Sequence, residues 1–280
     1  MSEKEKETGE IEERDGFIAI PDGSLYYKKY DIQGKVGLPV VLLHGNRGTH
    51  RDFSSYIEVL TKAGCSVIAM DSRGHGASVM KMAALKAAVL KTGRSQEKGK
   101  RRWTGAAEMA EDVVRLLDHL KIEKAVILGF SDGANTALEF AADHPERAEK
   151  IIAVSANALP DGLIPPMLFM ENTRFQCAKI LENIKPVGKF GKWCKREQFL
   201  SSLILHSPFL TEERLKKISV PVLLMAGTHD LIKESHTRII ARCIPGSRLV
   251  LIKGGTHQGF FRKKERYIGE ILKFIFDERC

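Results

Sequence analysis

Apolar residues in this chain fall into short unbroken runs separated by longer stretches of helical period. The runs are Pro39–His44, Val67–Asp71, Lys124–Gly129 and Ile151–Ser155, then Pro221–Gly227 and Arg248–Ile252. They have strand length, lack polar alternation and are bounded by Gly or Pro, which predicts strands covered on both faces. Between them lie helical patterns. Phe53–Ala63 follows Asp52 as a cap, and Thr104–Leu120 carries Ala107, Ala110, Val113, Val114, Leu117 and Leu120 on one face. Gly133–Asp143 stops before His144-Pro145, Glu234–Cys243 ends near Pro245-Gly246, and Phe260–Phe276 comes last. Strand–helix alternation of this kind predicts an α/β fold with a mostly parallel central sheet flanked by helices. Near the start, Gly16–Ile20 and Leu25–Tyr30 flank the turn signal Pro21-Asp22-Gly23-Ser24, so an N-terminal β-hairpin is expected.

Two stretches interrupt the alternation. Residues 79–102 are longer than a strand-to-helix connection needs. Residues 157–217, with Pro160, Pro165, Pro166, Pro186 and Pro208, are too short and Pro-interrupted for a separate domain and suit a small helical lid. Residues 1–15 read as a disordered acidic tail, and 16–280 as a single domain.

Composition refines this picture. With 43% hydrophobic residues in 280, a sizeable core is available and wholesale disorder is excluded. The net charge is +9, although the first residues are acidic. The bases concentrate in 81–102 (Lys81, Lys86, Lys91, Arg94, Lys98, Lys100, Arg101 and Arg102 against Glu97) and in the acid-poor Lys185–Arg196. The plain reading is solvated lysines; the sharper one is attraction of an anionic substrate or anionic lipid. No RNA-binding aromatic motif accompanies the charge, so nucleic acid is not an expected partner. The five cysteines, Cys65, Cys177, Cys194, Cys243 and Cys280, show no metal-ligand spacing and read as reduced thiols. No metal and no other cofactor is called for. The start has no apolar signal region, and no run approaches the ~20 apolar residues of a spanning helix. A cytoplasmic protein is the expectation.

The strongest chemical motif is Gly129-Phe130-Ser131-Asp132-Gly133, placed between an apolar strand and a helical run. Such a turn lifts a serine hydroxyl above the sheet edge beside a positive helix N-terminus. With 24 glycines in the chain the motif alone carries little weight, and its context decides. Serine needs a base. His257, in Gly254-Gly255-Thr256-His257-Gln258-Gly259, lies on a late loop after the last strand run. The base needs an acid to fix its tautomer. Asp230, ending Leu223–Asp230, fits, with Asp161 as the reserve. Acyl transfer also needs donors for an oxyanion. The backbone N–H groups of Asp132 and of Asn46, in the turn after the first parallel strand, are the candidates.

Together LLHGN at 42–46, DSRGHGAS at 71–78, GFSDGAN at 129–135, VPVLLMAGTHD at 220–230 and GGTHQGF at 254–260 resemble the α/β-hydrolase fold superfamily, in the branch of small esterases and acyl hydrolases. The resemblance implies a serine hydrolase of carboxylesterase type (EC 3.1), with Ser131, Asp230 and His257 as catalytic triad and His75 as a structural turn residue. Its substrate would be a small molecule carrying an acyl group as carboxylic ester or thioester. The chain departs from many relatives at Ala134, where a second glycine is common, and at Asp132, a carboxylate beside the nucleophile. In the lid, Met167, Phe169, Met170, Trp193 and Phe199 are the expected acyl pocket. A C–C bond hydrolase, lyase or aminopeptidase with the same triad, and a non-catalytic binding protein on this fold, are the alternatives. Epoxide and haloalkane chemistry is disfavoured, since those relatives place Asp where Ser131 stands. The sequence leaves the oligomeric state open.

Overall fold

A computed structural model describes residues 9–81, 83–84, 105–184 and 188–277. Nine strands among them form one sheet, β1 (Ile11–Ile20), β2 (Gly23–Ile32), β3 (Leu38–Leu43), β4 (Cys65–Met70), β5 (Val79–Met80), β6 (Ala125–Phe130), β7 (Ala148–Val154), β8 (Val222–His229) and β9 (Arg248–Thr256). The order is β1-β2-β4-β3-β6-β7-β8-β9, with β5 paired to β2. From β4 to β9 every pairing is parallel; β1, β2 and β5 join antiparallel.

The unbroken apolar runs follow from cover on both faces. Side chains alternate across the pleat. Val41, Leu43, Ile68, Met70 and Ile127 join one core, under α2 (Ala106–His119), α3 (Asp132–Asp143) and α7 (Glu234–Cys243). Val40, Leu42, Val67, Ala69, Val126 and Leu128 join the other, under α1 (Ser54–Lys62) and α9 (Ile268–Phe276). Both faces are apolar because neither meets water.

The hairpin is longer than its apolar residues indicate. β1 pairs with β2 from Ile11↔Ile32 to Ile20↔Gly23, so residues 11–15 belong to a strand and not to the acidic tail. Backbone pairing needs no apolar side chain, and cross-strand polar contacts, Glu13 with Lys28 and Asp15 with the Tyr26 hydroxyl, support this segment. The Phe260–Phe276 pattern divides into α8 (Gly259–Arg262), a 3₁₀ turn at Lys264–Arg266 and α9. The basic extension begins with β5 at Val79–Met80, and most of 79–102 lies outside the described residues.

Between β7 and β8 the chain forms α4 (Pro165–Asn183) and α5 (Gly188–His206), then α6 (Glu212–Leu215). α4 and α5 run antiparallel: Gln198 donates to Glu182, and Ser201 to Glu171. No described helix is long and apolar enough to cross a membrane.

Candidate active site

β6 ends at Phe130 and α3 begins at Asp132, leaving Ser131 alone to turn the chain. Ser131 has φ 54° and ψ −119°, in the left-handed half of the backbone map that most residues avoid. The flanking glycines are required by space. A Cβ at Gly129 would lie 2.1 Å from Gly133 O, and one at Gly133 would lie 2.0 Å from Leu43 O. The turn is fixed from outside: Ser131 N–H donates to Val154 O of β7 at 2.9 Å, and Asn135 N–H to Ser131 O at 3.0 Å.

Asp230 follows β8 and His257 follows β9, neighbouring parallel strands, so two residues distant in sequence leave the same sheet edge together. His257 Nδ1 and Asp230 Oδ1 are 2.6 Å apart. Donation from Nδ1 to the carboxylate leaves Nε2 as the acceptor nitrogen. Asp230 Oδ2 accepts from Ser155 Oγ at 2.6 Å and from Gly227 N–H at 3.3 Å, and Oδ1 also accepts from Ile232 N–H at 3.3 Å. Burial pushes the Asp230 carboxyl up, but the His257 hydrogen bond and charge, with those from Ser155 and Ile232, outweigh it and hold the group below its ordinary value. Asp230 is therefore a buried anion with full hydrogen-bond support. Phe130 packs on the imidazole, ring centroids 4.8 Å apart.

Ser131 and His257 line one cavity of about 20 Å³ with Asp132, Asn157, Leu163, Met167, Ile204, Ser207, Leu231 and Ile232. Among the described residues Ser131 Oγ and His257 share a cavity without a direct hydrogen bond. The turn after β3 stands against the elbow, since a Cβ at Gly45 would lie 3.1 Å from Ser131 Cβ. That brings Asn46 beside Asp132, whose backbone N–H opens α3 without an intrahelical partner. The Asn46 side chain donates to Leu200 O of α5 at 2.9 Å and to the Asp132 carboxylate.

Asp132 Oδ2 is buried and has no hydrogen-bond partner among the described residues. Burial raises its carboxyl to about 6; the Asn46 hydrogen bond opposes the rise, the Glu171 charge adds to it, and His257 and Arg47 oppose it. His44 braces the turn after β3. Its Nε2 accepts from Ser72 N–H at 3.0 Å, so Nδ1 donates to Gly45 O at 2.7 Å, and burial lowers its pKa. His75 bonds Arg73 O through Nδ1 and packs on His44.

The expected acyl pocket is corrected at most positions. Met167 lines the cavity. Phe169, Met170 and Trp193 are exposed, and Phe199 lies in a buried cluster with Met109, Leu200 and Leu203. Apolar identity placed these residues in the lid, but which helix face turns inward depends on how α4 and α5 pack. The cavity's apolar wall comes instead from Leu163, Met167, Ile204, Leu231 and Ile232. Leu231 and Ile232 directly follow Asp230, a signal available in the sequence; Ser155, at a strand's C-terminal end, is another. Asp161, the reserve acid, lies in a 3₁₀ turn, where its carbonyl accepts from Lys233. Among the described residues no cluster of His, Cys, Asp or Glu could hold a metal ion.

A family model described as the alpha/beta hydrolase fold matches residues 39–181. The human protein named Serine hydrolase BPHL is 27% identical over 262 residues, covering 89% of this chain and 82% of that protein. A putative carbamate hydrolase, RutD, of Caulobacter vibrioides is 32% identical over 275 residues, covering 88% of this chain and 94% of its own length. Among solved structures, an enol-lactonase from Burkholderia xenovorans superposes with a TM-score of 0.69 at 21% identity, over 94% of this chain and 100% of that one.

Proposed function

The chain belongs to the α/β-hydrolase fold family, and on that premise we propose that it is a serine hydrolase cleaving a carboxylic ester or thioester through an acyl-enzyme. The observation that carries the reading is the Asp230–His257 pair, 2.6 Å apart, whose imidazole lies on the wall of the cavity that Ser131 lines from its left-handed turn.

Ser131 Oγ attacks the acyl carbon while His257 Nε2 takes its proton. The N–H groups of Asn46 and Asp132 receive the oxyanion, at a helix N-terminus that favours negative charge. His257 returns the proton to the leaving group, then deprotonates the water that releases the acid. Asp230 keeps Nδ1 protonated and offsets the charge of the imidazolium.

A buried carboxylate oxygen without a partner among the described residues, Asp132 Oδ2, on a residue that lines the same cavity, favours a narrower substrate class: acyl compounds bearing an ammonium group that Asp132 would pair.

A fluorophosphonate probe and a panel of p-nitrophenyl esters test the central reading. Wild type is expected to be labelled at Ser131 and to turn over esters. Ser131→Ala is expected to lose labelling and at least about 10³-fold in kcat. A wild-type chain that takes no probe and hydrolyses no acyl substrate would return the protein to the class of binding proteins. Full labelling of Ser131→Ala would move the nucleophile elsewhere.

A further inference from the structure

α4 hides little of itself. Over Pro165–Asn183 its buried residues are Glu171 and Ala178, whereas a surface helix ordinarily buries an apolar stripe. Near its C-terminal end Ile180 is 64% exposed, and Ile184, the C-cap, 71%. At the start of α5, Phe190 is 46% and Trp193 45% exposed, their rings stacked at 5.7 Å and 8°. Positions 180 and 184 share one helix face, and 190 and 193 another. All four lie at the end of the antiparallel pair where the two helices connect.

Cations surround them. Lys179, Lys189 and Lys192 are exposed, and among the described residues none forms an ion pair. The nearby acid, Glu182, is half-buried and accepts from Gln198 at 2.7 Å. Apolar side chains, including a stacked Trp–Phe pair, thus stand among unneutralised lysines.

We propose that this end of the α4–α5 pair is a docking surface for an anionic membrane. Trp193, Phe190, Ile180 and Ile184 enter the boundary between headgroups and acyl chains, where aromatic rings are favoured, and the lysines meet lipid phosphates. Each such cation raises partition about fivefold. The charge argues against a second copy as occupant, because a two-fold contact through this face brings lysine against lysine. A nucleic-acid backbone would offer the two isoleucines no apolar counterpart. The surface is independent of the Ser131 chemistry, and its test succeeds or fails separately.

The full chain is sedimented with sucrose-loaded vesicles of phosphatidylcholine, alone and mixed with phosphatidylglycerol. Binding is expected on the anionic vesicles, reversed by high salt, with a blue shift in tryptophan emission that Trp193→Phe removes. Lys189→Gln with Lys192→Gln is expected to lower partition about 25-fold while the melting temperature stays unchanged, which separates lost binding from lost folding. Absence of binding to anionic vesicles, or unchanged partition of the lysine variant, overturns the proposal. So does a lipid-free dimer that Trp193→Ser dissolves, which would assign the face to a second copy. Preference for an oligonucleotide over vesicles would overturn it too.

Discussion

Asp132 is one residue past the nucleophile, lines the cavity, and has one carboxylate oxygen without a partner among the described residues. If it pairs a substrate ammonium, Asp132→Asn is expected to lower kcat/KM about 10- to 100-fold on ammonium-bearing esters and only a few-fold on neutral ones. Equal losses on both would end that reading. With its carboxyl raised to about 6, wild-type preference for the cationic ester should grow as pH rises through that value. The same shift has a stability consequence. Between pH 3.8 and about 6 the folded chain holds a proton that the unfolded chain has released, so stability falls as pH rises through this window. Denaturant melts of wild type and Asp132→Asn at several pH values check this, since the variant should lack that component. Asp230 behaves oppositely. Its carboxyl is lowered, so its contribution is complete above the ordinary value of 3.8 and disappears as pH falls through its folded value.

At the scale of elements, the turn after β3 is clamped by the α4–α5 pair. Arg47 has φ 62° and reaches Glu171 at 3.1 Å, Glu197 at 3.1 Å and Ser201 Oγ at 3.1 Å. Glu171 is wholly buried and also pairs Arg174 at 2.7 Å. Asn46, next to Arg47, is bonded to Leu200 O. The helices thereby position the backbone that the proposed mechanism uses for the oxyanion. Glu171→Gln removes the charge that several donors share and should cost about 1–3 kcal/mol of stability in denaturant melts. It is also expected to lower kcat about tenfold with little change in KM, because the donor is displaced in the transition state more than in substrate binding. A variant that lost stability but kept kcat would make the clamp purely structural.

For the whole molecule, the cavity at Ser131 has about 20 Å³, room for roughly one water. Longer acyl chains therefore require the α4–α5 pair, which carries Ile204, to shift from Leu163 and Ile232, with which Ile204 packs as one cluster. The kcat/KM for p-nitrophenyl acetate is expected to exceed that for the octanoate at least about tenfold, since part of the longer ester's binding energy is spent on that displacement. Equal values would mean that acyl chains leave by another route, and a steady rise with chain length would reverse the inference.

Much of this was legible in the sequence. Apolar runs without alternation specified strands buried on two faces, and the Gly129–Gly133 spacing specified a turn that only small flanking residues permit, because both signals are local consequences of pleat and backbone sterics. Asp230 and His257 were legible for the same reason: residues that follow parallel strands emerge at one sheet edge. The chain by itself did not reveal that the hairpin continues through polar residues to Ile11, since ladder hydrogen bonds come from the backbone. Nor did it reveal that Phe199 turns inward while Phe169 and Trp193 face out. Only the tertiary structure decided which α4–α5 residues wall the cavity and the Arg47–Glu171 clamp, because both depend on how helices more than a hundred residues downstream of the turn at Arg47 pack against the rest of the chain, a relation no local pattern encodes.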